Sequence, residues 1–211
     1  GDGTQMNPYA TIAKAITSAS NNDVIEVLEG TYTSNFDVNK VVTINGSNKE
    51  KSGTSESRVN ETILENTKSN ITANATLDGF TFKHTQNISE ALILQSQATI
   101  KNCIFERFAT VAGQTATAIS TSSNASNYLI ANNLFTGSTD GGLFGGHKTW
   151  NSALYFNNRN GNSGTIEYNT FRNCRTALVG DDDNSNITLQ YNDFLNCGSY
   201  ISFGGTSPIS T

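Results

Sequence analysis

The chain has 211 residues, of which 15% are charged, and a net charge of −5. That length can bury one sizeable core. The sequence has no Lys/Arg-rich run, so the electrostatic footprint of a nucleic-acid binder is missing, and no apolar run approaches the length of a membrane span. Abundant Asn, Ser, Thr and Gly, with only two Pro and one Met, favour short strands and turns over long helices.

Taken in chain order, residues 8–20 read as one helix. Asn7 is placed to cap it, Pro8 suits its first turn, and Ile12 and Ile16 fall on one face. The stretches "DVIEVLEGTY" (23–32) and "VVTING" (41–46), then "ETIL" (61–64) and "NITANATL" (70–77), read as strands. From there the chain repeats. Aligned on Phe82, Phe105, Phe135, Phe171 and Phe194, the copies are 23, 30, 36 and 23 residues apart. Five residues before each Phe stands Leu77, Ile100, Ile130, Ile166 or Leu189. Two residues before it stands Asn133, Asn169 or Asn192 in three copies, with Phe80 and Cys103 in the other two. A second apolar run follows each Phe: "ALIL" (91–94), "AIS" (118–120), "ALYF" (153–156), "ALVG" (177–180) and "YISF" (200–203).

A repeat of this length is a stacked unit that cannot bury its apolar face alone. Three short parallel strands per unit, with neighbours at ~4.8 Å, make a β-solenoid. The Ile/Leu and Phe residues are expected to point inward. The Asn residues are expected to mark a tight turn, adopt its left-handed backbone, and bond one another from coil to coil. The predicted fold is therefore all-β, a parallel β-helix of about seven coils in one domain over 1–211, with helix 8–20 capping the first coil. No matching cap is seen in "SFGGTSPIST", and the chain reads as a processed product or a piece of a longer polypeptide.

Alternation along the strands that follow each Phe puts Leu92, Ile119, Leu154, Leu178 and Ile201 inward. It turns Ile93, Ser120, Tyr155, Val179 and Ser202 outward, beside a second outward row of Ala91, Ala118, Ala153, Ala177 and Tyr200. Cys174 and Cys197 each lie three residues after a Phe and are expected to be stacked and reduced, since side chains of one column run parallel instead of toward each other.

The segments "LDGFTF", "IKNCIF", "IANNLF", "IEYNTF" and "LQYNDF" resemble the right-handed parallel β-helix proteins of the pectate-lyase-like group. The opening "GDGTQMNPYATIAKAITSASNNDVIEVLEGTY" and the stretch 42–82 are similar to modules of large secreted or surface adhesin-like proteins. The resemblance covers essentially the whole chain and speaks to fold far more than to activity.

Insertions in a solenoid usually build its working face. The longest is 136–152, with Asp140, His147, Lys148 and the only Trp, Trp150; the turn 157–164 carries Arg159, and the next carries Asp181, Asp182 and Asp183. Lyases resembling this chain need a base and a means of neutralising a uronate carboxylate. Lys148 or Arg159 would serve as base, His147 as acid, and the three aspartates as calcium ligands. Trp150 and Tyr155, with Asp140, would instead hold a sugar ring. The outward rows carry neither acid nor base, which places an extracellular or cell-surface module, adhesin-like or surface-layer-like and contacting a polysaccharide or surface glycan, ahead of a polysaccharide lyase or glycoside hydrolase working in a 136–164 groove. A structural spacer is the third reading. Adjacent domains of the same polypeptide are the other expected partners.

Overall fold

A computed structural model describes residues 1–86, 88–108, 116–138, 149–157, 162–180 and 186–203. Seven coils each give one strand to each of three parallel seven-stranded sheets, and the chain is a right-handed parallel β-helix. The first sheet runs Val24–Glu26, Thr43–Asn45, Ala75–Asp78, Ala98–Lys101, Tyr128–Ala131, Ser163–Glu167, Asn186–Gln190. The second runs Gly30–Tyr32, Thr62–Glu65, Thr81–His84, Ile104–Arg107, Leu134–Gly137, Thr170–Arg172, Asp193–Leu195. The third runs Asp37–Val38, Ser69–Ile71, Glu90–Leu94, Thr117–Thr121, Ser152–Phe156, Thr176–Gly180, Ser199–Phe203. Among the described residues no helix is long and apolar enough to cross a membrane.

The repeat positions stack as the spacing requires. Ile44, Leu77, Ile100, Ile130, Ile166 and Leu189 are successive partners in the first sheet and all are buried. Phe82, Phe105, Phe135, Phe171 and Phe194 stack with centroids 4.5, 4.9, 4.9 and 5.2 Å apart and planes within 10°. That spacing is the strand spacing itself, so the ladder register sets the ring geometry. Each buried Phe contributes roughly 1.5–3 kcal/mol of transfer free energy.

The short turn between the first and second sheets carries the expected asparagine ladder. Asn133 Nδ2 donates to Asn169 Oδ1 at 3.0 Å and Asn169 Nδ2 to Asn192 Oδ1 at 3.0 Å. The same amides bind the carbonyls of Ile100 and Ile130, and Cys103 N–H closes the ladder on Asn133 Oδ1 at 2.8 Å. The left-handed backbone, however, belongs to the residue before the ladder, not to the ladder itself. Gly79, Asn102, Asn132, Tyr168 and Tyr191 have φ of 80, 57, 56, 55 and 55°. The ladder residue is thereby free to turn its amide inward.

Three further readings are corrected. The helix is Ile12–Ser18, capped by Thr11, whose Oγ1 accepts from Lys14 N, because Asn7 is held in a backbone turn with Asp2, Gly3 and Thr4. Its Ile12 and Ile16 nevertheless join the core. Of the second outward row, Ala91, Ala118, Ala153 and Ala177 are fully buried within the core cluster, while Tyr200 is exposed as expected. The strand partners there pass from Thr117 to Ile119 without pairing Ala118, so strict alternation fails where the chain enters the third sheet. The insertion between the second and third strands of the fifth coil is shorter than 136–152, since Thr136, Gly137 and Ser152 are in strands.

Cys103, Cys174 and Cys197 are free and buried. A hydrogen bond shared with Cys197, together with burial, holds the Cys174 thiol well above its usual range, so it stays protonated.

Candidate functional site

The outward row of the third sheet pairs Ile93, Ser120, Tyr155, Val179 and Ser202 in register. Toward the first coil it continues through Asn70 to Asp37, whose Oδ1 accepts from Asn70 Nδ2 at 2.8 Å. Asp37 is the one acid in that row, and Tyr155 is half-buried within it. Glu90, at the start of its strand, is paired with Lys68 at 2.6 Å.

Trp150 is not on this surface. Its side chain is fully buried, and Nε1 donates to the Phe105 carbonyl at 3.1 Å. The indole covers the inside of the corner between the second and third sheets, 5.4 Å from the His84 ring, and has no open face for a sugar. Asp140, His147, Lys148, Arg159, Asp181, Asp182 and Asp183 lie outside the described residues. Among the described residues no group of three His, Cys, Asp or Glu could hold a metal ion.

Exposed aromatic side chains are found instead at the short turn. Tyr168 and Tyr191 are 54% and 70% exposed, and their rings stack 4.9 Å apart with planes at 15°. Both occupy the left-handed position that Gly79, Asn102 and Asn132 hold in the preceding coils. The left-handed backbone costs an ordinary L-residue about 1–2 kcal/mol, and Gly or Asn avoids most of that. Two consecutive coils thus carry a strained bulky residue that adds nothing to the core. Beside the pair, Gln190 Nε2 donates to Glu167 Oε2 at 2.6 Å, and Thr170 and Asp193 open the next strands.

In the earlier coils this same column is covered by the segment 46–61, which the repeat pattern did not reveal as an insertion. It leaves the second coil after Asn45 and runs along the turns of the third, fourth and fifth coils. Gly46 N donates to Asp78 O, Arg58 Nη1 to Asn102 O and Gly53 N to Asn132 O, each at 2.8 Å. Arg58 is fixed by a two-pronged pair with Glu61, both contacts 2.8 Å. A side chain at Gly79 would meet Lys49 N at 2.1 Å, so close cover of this turn demands glycine.

The sequence pattern of the DUF1565 family, described as protein of unknown function, matches residues 1–193. The chain belongs to the DUF1565 family. No curated protein and no solved structure matches it. For this DUF1565 chain the tyrosine pair was legible as a change from "NN" in "IANNLF" to "YN" in "IEYNTF" and "LQYNDF". Reading the Asn, instead of its predecessor, as the left-handed residue concealed it.

Proposed function

We propose that this chain is an extracellular or cell-surface β-helix module, adhesin-like, that contacts a polysaccharide through the Tyr168–Tyr191 turn. The observation that carries this reading is a pair of exposed, stacked rings kept at strained backbone positions in consecutive coils. Strain retained at a surface points to function. Tyrosine offers a large, rigid face to a sugar ring and a hydroxyl to its edge. Glu167, Gln190, Thr170 and Asp193 supply polar groups on either side of the turn for sugar hydroxyls. The pair replaces Trp150 as the aromatic platform. This reading draws on none of the residues of the lyase or hydrolase alternative.

The test is a glycan array probed with the wild-type chain and with the double substitution Tyr168→Asn, Tyr191→Asn, which keeps the left-handed turn. A loss of about tenfold or more in apparent affinity is expected, equivalent to ~1.4 kcal/mol. A hit retained unchanged by the double variant removes this turn as the site. A wild-type chain that captures no glycan leaves the spacer reading in its place.

A further inference from the structure

At the corner between the second and third sheets, four buried polar atoms in three consecutive coils have no hydrogen-bond partner among the described residues: Thr67 Oγ1, both ring nitrogens of His84, and Arg107 Nε. His84 and Arg107 are direct partners in the second-sheet ladder. Two residues past the inward Phe82 and Phe105, they point into the solenoid. Thr67 and His84 are 0% exposed, Arg107 is 1% and Trp150 is 0%. Among the described residues the guanidinium's only hydrogen bond joins Nη1 to the Gln86 carbonyl at 3.1 Å, and no carboxylate pairs with it. Trp150 lies beneath, its ring centre 5.9 Å from Arg107 Cζ, at the outer limit of a cation–π contact. The Thr67 carbonyl faces the His84 ring without reaching hydrogen-bond geometry.

A buried, uncompensated charge is among the most costly features a fold can carry, and buried polar groups are almost always paired. A water molecule would satisfy the bonds but not the charge. A negative ion does both, since Arg107 Nε–H, one His84 N–H and the Thr67 hydroxyl are all available donors. We propose that this corner is a binding site for a small inorganic monoanion of the halide class. Size follows from enclosure: all four surrounding side chains are shut off from solvent, which excludes an organic acid or a sugar carboxylate. Charge follows from stoichiometry, because one guanidinium beside a neutral imidazole asks for one negative charge. Exchange of the ion proceeds by local opening of the corner. This site is separate from the tyrosine turn and does not depend on the glycan reading.

Two measurements with bromide test it. Wild-type crystals grown in sodium bromide and recorded at the bromine absorption edge are expected to show an anomalous peak against Arg107 Nε and His84. In solution at fixed ionic strength, replacing gluconate by bromide is expected to raise the thermal midpoint of the wild-type chain by about 2–4 °C, and that of Arg107→Gln not at all. A corner without an anomalous peak overturns the proposal, and so does an equal bromide response in the variant. The crystal measurement needs no variant, so it stands even if Arg107→Gln fails to fold.

Discussion

Two corners of one solenoid solve the same problem in opposite ways. The short turn between the first and second sheets repeats one arrangement coil after coil: a left-handed residue, then a ladder amide that closes on the next coil. The wide corner between the second and third sheets repeats in the sixth and seventh coils, where Asn173 and Asn196 are left-handed, Asn196 Nδ2 donates to Asn173 Oδ1 at 2.8 Å and Cys174 shares a hydrogen bond with Cys197, but not among the described residues of the third to fifth. Its inward positions there read His84, Arg107 and Gly137 down the ladder, with Trp150 packed in from the fifth coil, and several of its buried atoms lack partners among the described residues. The regular corner holds the stack together. The irregular one departs from what stability alone would select, as functional positions do.

Acid gives the largest expected separation of the two corners. Burial, with Arg107 beside it, pushes His84 down to about 4 from an ordinary 6.5. In the unfolded chain it takes its proton near the ordinary value, so between these limits the unfolded state binds more protons. Stability is therefore complete above about pH 6.5 and falls as pH drops toward about 4, by roughly 3 kcal/mol. Urea denaturation across that window in halide-free gluconate should show the slope, and His84→Gln should flatten it. An unchanged slope in His84→Gln would place the titration at another group. The asparagine ladder has no proton to gain and adds nothing to this term.

Cutting the regular corner comes next. Asn133→Ala strips Cys103 N–H of its acceptor and the Ile100 carbonyl of a donor in a buried setting. The expected loss is about 2 kcal/mol in urea denaturation at neutral pH. A cost near zero would mean that the neighbouring backbone re-pairs and the ladder is ornamental.

The smallest effect sharpens the comparison most. Tyr168→Asn relieves left-handed strain and forfeits a stacked pair worth ~0.5–1.5 kcal/mol, so stability should stay within about 1 kcal/mol of wild type. A loss well beyond that would make the tyrosine stack part of the scaffold.

Much of this was legible in the sequence because a solenoid writes its register once per coil. Phe82 to Phe194 and Leu77 to Leu189 fixed the repeat, and from it the coil number and the two inward columns. Legibility failed where a rule obeyed by one position was assigned to its neighbour. Asn133 looked like the left-handed residue, yet Asn132 is, and so Tyr168 and Tyr191 passed unnoticed. His84 and Arg107 were also within reach: each stands two residues beyond an inward Phe, and period two carries them inward as well. Trp150 has no counterpart in any other coil, so only its packing against His84 and Arg107 shows where it goes.

The segment 46–61 has a mechanical consequence. Coils of a solenoid touch only their neighbours, so a pull along the axis is normally borne by one inter-coil seam at a time. Here a single stretch of chain leaves the second coil and is bonded to the third, fourth and fifth, with Arg58 riveted to Glu61 at its far end. It acts as a splint laid across several seams, which must shear together before any one of them opens. Among the described residues the sixth and seventh coils carry no such splint, and the tyrosine turn sits on them. Under tension the tyrosine turn thus rides on the more compliant coils, and the splinted ones lie behind it.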